Sequence, residues 1–345
     1  RCKQFGCDEK FAFGGGDGYF KMLDVPGIEI VILGAPPAFR PRHLDACIKA
    51  GKHVFAEKPI AVDPQGVRHV LECTAAAKAK QLTLVTGTQR RHQGAYMRQA
   101  LAFQKGQLGT IRGGNIYWCQ ARGSIRPRKE GVTNAQYMCN NWMNWAEMSG
   151  DHIVEQHVHN IDVANWFIGR YPRTAMGVGA RVRRPTGNQY DFFSVDFDYG
   201  DGLHIHSLAR QIPGCADRVG EIFSTELAEI SGGGKIRRYD GKEVELEDVG
   251  NEGNPYVNEH SALLDSVING KQLNEGETIA YATAAAIMGR LSAYTGQVVR
   301  MSDILTNQDS PFYNMNFKPA AIDFEGSADV VLPEEGVAPR PGKDK

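Results

Sequence analysis

Short apolar runs alternate with longer amphipathic segments over the first part of the chain. The runs Ile28–Leu33, His53–Ala56 and Leu82–Thr86 are mostly hydrophobic, which is typical of parallel strands covered on both faces. Between them, segments 41–50 and 63–80 carry apolar residues at helical spacing. This β-α-β-α-β order predicts a parallel, doubly wound sheet with right-handed crossovers.

The pattern changes after residue 92, where a helix is predicted from about Tyr96 to Gln104 and strands with alternating polarity follow. Asp198–Gly202 is a hairpin signal between two of these strands. The second region is therefore predicted to be an α/β domain with a large open, mostly antiparallel sheet. Its strands are expected at Thr110–Arg122, Thr174–Arg183, Phe192–Tyr199, Gly202–Arg210, Arg218–Ser231 and Gly234–Tyr239, and its last helices at Asn258–Ile268 and Glu277–Tyr294.

These patterns divide the chain into three predicted parts. Residues 1–92 form the parallel domain, and residues 93–305 form the α/β domain. Residues 306–345 are rich in Pro, Asp and Glu with little periodicity, so we expect an extended tail that wraps a neighbouring subunit.

Composition narrows the function classes. A length of 345 residues with 42% hydrophobic content is enough for two domains with real cores. The net charge of −1 argues against a nucleic-acid or membrane-surface partner. Seven cysteines without a C-x-x-C pair argue against a disulfide framework or a thiolate zinc site. A cytoplasmic location is the default, and a twin-arginine signal upstream of Arg1 would instead indicate periplasmic export.

The stretch Gly51–Pro59 is the first candidate for chemistry. Its strand ends in Glu57 and Lys58, and a lysine at the carboxyl end of a parallel strand can point into the crevice where such sheets bind ligands. A surface lysine in a strand-to-helix loop is the alternative. Arg90 and Arg91 follow the third strand, so they are expected on the same rim.

The second candidate is a predicted helix from Gly150 to Gly169. His152, Glu155 and His159 fall at i, i+3 and i+7, so they would share one helical face. A neutral imidazole at His159 suits a general base that takes a hydroxyl proton. Glu155 would orient His159, and Lys58 would hold the substrate oxygen. A solvated polar face is the structural alternative.

Two further features leave alternatives open. Trp142 and Trp145 beside Asn140, Asn141 and Asn144 suit a sugar-binding wall or an ordinary packed loop. The set His152, Glu155 and His159 could also supply three metal ligands from one helix, but the spacing is not H-E-x-x-H and no metal is expected.

Residues 30–36, His43 and the Glu57-Lys58-Pro59 signature together resemble the glucose–fructose oxidoreductase / inositol dehydrogenase / rhizopine catabolism (Gfo/Idh/MocA) family. The resemblance extends over most of the chain to about Leu305. The family's second signature is matched at Glu155, where its members usually carry Asp, and then at His159, Asp162, Trp166 and Gly169.

The resemblance implies a Rossmann domain that binds NAD or NADP, and hydride transfer to or from a secondary alcohol of a sugar, cyclitol or glycoside. It also implies a homodimer or homotetramer formed through the open sheet. The catalytic residues would be Lys58, His159 and Glu155; the cofactor-binding residues Ala35, Pro36, Phe39, His43, Glu57, Lys58 and Arg90; and the substrate-binding residues Lys58, Arg91, Trp142, His152, His157 and His159.

One departure from the family pattern concerns the phosphate-binding turn. Gly14–Gly18 does not match G-x-G-x-x-G, because Tyr19 stands where the last glycine is needed. The Rossmann domain is therefore expected to be incomplete, in a fragment of a longer gene product. Alternative functions are an NAD-dependent glycoside hydrolase using transient ring-carbon oxidation, a metal-dependent hydrolase, and a non-catalytic sugar or nucleotide sensor.

Overall fold

Two β-sheets organise the chain, in a computed structural model that describes residue 4, residues 6–326 and residues 329–342. One sheet has three strands and the other has eight. The strands are β1 (Ile30–Leu33), β2 (His53–Ala56), β3 (Leu84–Thr86), β4 (Ile111–Gln120), β5 (Thr174–Ala180), β6 (Phe192–Asp198), β7 (His204–Gln211), β8 (Arg218–Thr225), β9 (Ala228–Ser231), β10 (Ile236–Arg238) and β11 (Val299–Arg300).

Helices cover the sheets and connect them. In the described residues, none combines the length and hydropathy that a crossing of a membrane requires. The helices are α1 (Gly18–Leu23), α2 (Arg40–Lys49), α3 (Pro64–Ala79), α4 (Gly94–Gln104), α5 (Asn134–Asn140), α6 (Ala146–Ser149), α7 (His152–Glu155), α8 (Val158–Ile168), α9 (Pro255–Asn269), α10 (Gly276–Thr295) and α11 (Met301–Leu305).

The small sheet is parallel, with strand order β1-β2-β3, as the apolar runs predicted. The crossover helix α3 begins at residues that favour a helix start. The Asp63 side chain accepts a hydrogen bond from the Gly66 N–H at 2.7 Å, and Pro64 occupies the first turn of α3. Leu33 and Ala56 are register partners, so the loops that follow β1 and β2 leave the sheet side by side.

The large sheet has the order β10-β9-β8-β4-β7-β6-β5-β11. Among the described strands of this sheet, only β4 and β7 pair in parallel, so the prediction of a mostly antiparallel sheet is confirmed. Helix α10 lies close against β5 at Gly177. A Cβ at this position would lie only 3.1 Å from the carbonyl oxygen of Gly289 on the helix. Phe193 and Phe197 of β6 are fully buried beneath the helices.

The prediction of one continuous helix from Gly150 to Gly169 is wrong. Helix α7 ends at Glu155 and α8 begins at Val158. His157 lies at the break, where its Nε2 bonds the hydroxyl of Ser207 on β7 at 2.7 Å. Because the helix is interrupted, residues 152, 155 and 159 do not share one helical face.

The described part of the C-terminal tail packs against its own chain. Val330 is buried in a cluster with Tyr137 and Trp145, so Trp145 is a core residue and not part of an exposed wall. The Glu335 carboxylate accepts hydrogen bonds from the Gly187 N–H at 3.2 Å and the Tyr137 hydroxyl at 3.1 Å. These contacts lie within one chain, and contact of the tail with a neighbouring subunit stays a prediction.

Candidate functional site

Lys58 and Glu155 form an ion pair between the two domains. Lys58 follows the carboxyl end of β2, and its Nζ lies 3.0 Å from Oε1 of Glu155 at the end of α7. The same ammonium group donates to the backbone carbonyl of Glu155. The two side chains are 13% and 9% exposed, so the pair is largely removed from water. The structure thus brings together the two motifs that the sequence placed on facing rims.

His159 lies in the first turn of α8 and stacks on the indole of Trp118, with ring centroids 5.6 Å apart. Burial lowers the pKa of His159 well below its usual range, and the positive charges of Lys58 and Arg90 lower it further. A neutral imidazole near pH 7 can accept a proton, which a general base must do. Among the described residues, the Glu155 carboxylate bonds Lys58 and makes no hydrogen bond to His159.

Arg90 belongs to a buried polar network beside the stacked rings of Trp118 and His159. Its guanidinium forms an ion pair with Glu221, whose carboxylate also accepts from the Tyr96 hydroxyl at 3.1 Å and the Asn160 amide at 2.6 Å. The Arg90 guanidinium carbon lies 5.7 Å from the centre of the Trp118 ring. The network therefore fixes a positive charge beside the Trp118–His159 stack.

Arg91 is held by a carboxylate on α8. Its Nε and one terminal nitrogen donate to the two oxygens of Asp162, at 2.7 and 2.8 Å. Such a bidentate pair fixes the guanidinium in one geometry. The structure therefore gives Arg91, predicted to bind substrate, a protein partner that anchors the loop after β3 to α8.

Arg40 connects the loop after β1 to the loop after β2, which contains Lys58. The sequence did not indicate this role. The buried guanidinium donates to the carbonyl oxygens of Ala35 and Pro59, both at 2.6 Å. Burial lowers its pKa to about 10, which still leaves it charged near pH 7. An arginine at the start of an amphipathic helix usually faces solvent, so no local signal revealed this contact.

Glu57 fills the space between the ends of β2 and β3. Its Oε2 accepts from the Lys58 N–H at 3.2 Å, and a Cβ at Gly87 would lie only 2.3 Å from the same oxygen. Glycine at position 87 therefore leaves the room that the Glu57 carboxylate needs beside Lys58.

Phe39 and His43, predicted to bind the cofactor, lie in an aromatic cluster. The His43 ring is 4.4 Å from that of Tyr19 and 5.9 Å from that of Phe39, and Phe324 of the tail meets Phe39 edge-on at 5.1 Å. Burial lowers the pKa of His43 to about 4. Glu325 completes this border through a 2.6 Å bond from Arg42, so the tail adjoins the predicted cofactor side.

Three predicted substrate-binding residues lie in packed surroundings. His152 is buried against Phe193, with ring centroids 5.1 Å apart, and neither of its ring nitrogens has a hydrogen-bond partner in the part of the chain that the structure describes. Burial lowers the pKa of His157 to about 3. Trp142 packs into the hydrophobic cluster of Tyr137 and Trp145.

The residues on the rim suit the reactive end of a nicotinamide cofactor. The loops after β1 and β2 present Ala35, Pro36 and Lys58 at the carboxyl edge of a parallel sheet, the position where such sheets bind ligands. The backbone groups and the ammonium group there can bind an amide. Residues 14–17 contain a bend and a turn, and α1 begins at Gly18.

Comparison with known proteins adds an independent observation. Residues 3–87 match the model of an oxidoreductase family with an NAD-binding Rossmann fold, GFO_IDH_MocA. Residues 96–225 match the model of the GFO/IDH/MocA C-terminal domain. The two matches fall on the parallel-sheet domain and on the first part of the α/β domain.

Individual relatives are distant. The chain is 25% identical over 217 residues to scyllo-inositol 2-dehydrogenase (NAD(+)) of Bacillus subtilis strain 168, covering 60% of this chain and 56% of the relative. It is 24% identical over 169 residues to inositol 2-dehydrogenase of Rhizobium meliloti strain 1021, covering 49% and 45%. The chain thus spans about half the length of the curated relatives it matches.

Solved structures share the fold. Aldose-aldose oxidoreductase from Caulobacter crescentus matches with a TM-score of 0.68 at 17% identity, covering 87% of both chains. Myo-inositol 2-dehydrogenase from Lactobacillus plantarum matches with a TM-score of 0.63 at 20% identity, covering 82% of this chain and 83% of the other. At these identities the likeness concerns the architecture alone.

Proposed function

Because the chain belongs to the GFO/IDH/MocA oxidoreductase family, we propose that it transfers hydride between a nicotinamide cofactor and a secondary alcohol of a cyclitol or sugar. The observation that carries this proposal is the meeting of Lys58 with Glu155 beside a neutral His159. Two of the relatives are named as dehydrogenases of inositols, which supports the substrate class.

In this proposal each residue has a distinct role. His159 takes the proton from the substrate hydroxyl, because its lowered pKa keeps it neutral near pH 7. The Lys58 ammonium group donates a hydrogen bond to the same oxygen and stabilises the negative charge that develops there. Glu155 is a positioning residue that holds Lys58 by two contacts. A bound NAD or NADP supplies the hydride acceptor.

The residues around the proton path also exclude water. The indole of Trp118 covers one face of the His159 ring, and Arg90 lies behind the indole. A dry site strengthens the hydrogen bond from Lys58 to the reacting oxygen.

The test is an assay of the purified 345-residue chain with NAD or NADP and a panel of inositols and aldoses. We expect reduced cofactor to accumulate in step with oxidised product, and we expect Lys58→Met to abolish this. Lys78→Met is the matched control, because Lys78 is an exposed lysine on α3. Equal rates in the wild type and in Lys58→Met would overturn the proposal.

The same assay separates the hydrolase alternative, which the named relatives do not favour. An aryl glycoside added to the panel would release free aglycone without net reduced cofactor if ring-carbon oxidation were transient. Stoichiometric reduced cofactor without aglycone would support the dehydrogenase. A sensor would bind cofactor or sugar and turn over neither.

We also propose that the open face of the large sheet pairs with a second copy of the chain. Met176 and Val178 of β5 are 64% and 62% exposed and point away from α10. An apolar sheet face of this kind favours association. Light scattering should report a dimer or tetramer for the wild type. The double variant Met176→Asp/Val178→Asp should be a monomer, and a monomeric wild type would refute the pairing.

A further inference from the structure

A mixed cluster of side chains lies between α2 and α3, on the helices that flank the small sheet. His69 and Cys73 are one helical turn apart on α3, and Asp45 faces them from α2. Nε2 of His69 is 3.7 Å from Oδ1 of Asp45, and Sγ of Cys73 is 4.0 Å from the same oxygen. The three atoms all lie within 4.8 Å of one another.

These separations are close to the edges of a metal coordination sphere. Bond lengths to Zn²⁺ and tetrahedral angles place neighbouring N, O and S ligands about 3.3–3.6 Å apart. The distances from Oδ1 of Asp45 to Nε2 of His69 and to Sγ of Cys73 exceed these values by a few tenths of an ångström. The ligand atoms of the three residues lie within 4.8 Å of one another, so binding would require the partly exposed His69 and Asp45 side chains to rotate toward the buried Cys73. One imidazole, one thiol and one carboxylate also form a donor set that Zn²⁺ accepts.

Hydrogen bonding alone does not account for the cluster. Lys49 satisfies the outer oxygen of Asp45, Oδ2, at 2.6 Å, and the Cys73 thiol can donate weakly to Oδ1. His69 faces Oδ1 from 3.7 Å, which is beyond hydrogen-bond range. An ion between these atoms would explain why the imidazole is aimed at the carboxylate without bonding it, and Lys49 would then orient the ligating carboxylate.

Access and charge also suit an ion that enters from solvent. Cys73 is buried, whereas the His69 and Asp45 side chains are 39% and 28% exposed. Three protein ligands at such a surface leave a fourth position for water. The Asp45 carboxylate brings a negative charge to this cluster, and binding of a cation would release the thiol proton of Cys73.

We propose that Asp45, His69 and Cys73 bind a divalent transition-metal ion of the Zn²⁺ class, in a site separate from Lys58 and His159. The ion would connect α2 to α3 and so stabilise the helices packed on the small sheet. The cluster was not evident in the sequence, because Asp45 and the His69/Cys73 pair lie on different helices.

The experiment uses the full chain, freed of metal with a chelator and kept reduced, and titrated with Co²⁺ as a spectroscopic probe. We expect one equivalent of Co²⁺ to give a thiolate-to-cobalt absorption band that Zn²⁺ abolishes by displacement. Zn²⁺ should also raise the midpoint of thermal unfolding, because a ligand that binds only the folded state stabilises it.

Variants locate the site. Cys73→Ser should remove the band, and His69→Gln and Asp45→Asn should each weaken Co²⁺ binding by more than about tenfold, a loss that even a partner outside the coordination sphere can cause. Cys47→Ser is the matched control, since Cys47 is a buried cysteine on α2 outside the cluster. Circular dichroism confirms that each variant is folded.

The proposal is overturned if the wild type binds no Co²⁺. It is equally overturned if the band persists in Cys73→Ser, or if His69→Gln and Asp45→Asn both bind as tightly as the wild type.

Discussion

The Nζ of Lys58 lies 3.0 Å from Oε1 of Glu155, so a side chain at the edge of the small sheet is fixed by a carboxylate from the second domain. Both groups are largely buried, so the opposite charge of the partner replaces part of the stabilisation that water gives to each group in solution. The contact therefore links the docking of the two domains to the geometry of the proposed site.

Replacing either member of this pair should destabilise the protein. Lys58→Met and Glu155→Gln should each lower the free energy of unfolding by about 3 kcal/mol, because each disrupts a buried ion pair. The double variant should recover much of this loss, which urea unfolding measures. Simple additivity of the two single losses would show that the ion pair contributes no coupling energy.

The activity of the same variants should separate the two roles. Lys58→Met should lower kcat by about 100-fold or more, as expected for a group that acts on the reacting oxygen. Glu155→Gln should lower kcat less, since the amide oxygen can still accept a hydrogen bond from Lys58. A Glu155→Gln variant that was less active than Lys58→Met would instead mark Glu155 as a catalytic group.

The pH profile of alcohol oxidation should reflect the lowered pKa of His159. A base with a lowered pKa stays neutral to more acid pH, so log(kcat/KM) should not bend downward at the pKa of an ordinary histidine, near 6.5. His159→Ala should lower kcat by about 10²–10⁴. The control is His204→Gln, because His204 is exposed on β7 and its pKa is raised by the hydrogen bond to Asp196. A bend near 6.5 that disappears in His159→Ala would contradict the burial argument.

Local signals in the sequence predicted most of the elements around the site. The strand His53–Ala56 has its predicted bounds, the Asp63 cap bonds as expected, and Gly169 ends α8 in the left-handed conformation with φ of 76°. Each of these depends on neighbours within one turn or one strand, and such information is present in any short stretch of sequence.

The arrangement of side chains depended on contacts that no short stretch contains. Helical spacing placed Glu155 beside His159, but the bond from His157 to Ser207 lies where the helix is interrupted, and Glu155 is bound to Lys58. Trp118 had no signal at all, because a tryptophan in an alternating strand looks like an ordinary packing residue.

Replacing His152 should make the protein more resistant to acid. Burial lowers its pKa well below the value of about 6.5 that an unfolded chain shows. Below that pH the unfolded state therefore binds a proton that the folded state does not, and stability falls as the pH decreases. His152→Leu removes this contribution, so its free energy of unfolding relative to the wild type should rise as the pH falls below about 6.5. Denaturant unfolding at several pH values measures the difference between the variant and the wild type, and a difference that does not change with pH would refute the prediction. The kcat of His152→Leu should stay within about twofold of the wild type if His152 serves packing alone.

Glu259 should show the opposite pH dependence. Burial raises the pKa of Glu259 to about 8, and the charges of Glu57 and Glu275 contribute further. The folded state retains a proton that the unfolded chain loses above about 4.3, so this contribution to stability falls steadily as the pH rises from about 4.3 to about 8 and is lost above that. Glu259→Gln keeps a neutral group at this position, so its free energy of unfolding relative to the wild type should rise over the same pH interval and level off above about 8. Unfolding curves at several pH values between about 4.3 and 8 provide the check, and a difference that stays constant over this interval would count against the raised pKa.

Gly87 should be intolerant of a side chain because of the carboxylate beside it. A Cβ there would lie 2.3 Å from Oε2 and 2.9 Å from Cδ of Glu57, so Gly87→Ala must displace that carboxylate from the Lys58 N–H. Displacement of groups in an active site by about 1 Å can cost about 100-fold, and we expect kcat/KM to fall by that order. Gly113→Ala is the control, because its new Cβ would meet its nearest neighbour at 3.7 Å, an ordinary contact.

A second substitution distinguishes a steric cause from a loss of backbone freedom at position 87. Overpacking should also lower the stability of Gly87→Ala by about 1–3 kcal/mol. Glu57→Ala in the Gly87→Ala background removes the atoms that clash, so it should restore stability without restoring activity. If the double variant stays as unstable as Gly87→Ala, the contact between Glu57 and Gly87 does not limit this position, and the arrangement of Glu57 beside Lys58 has another cause.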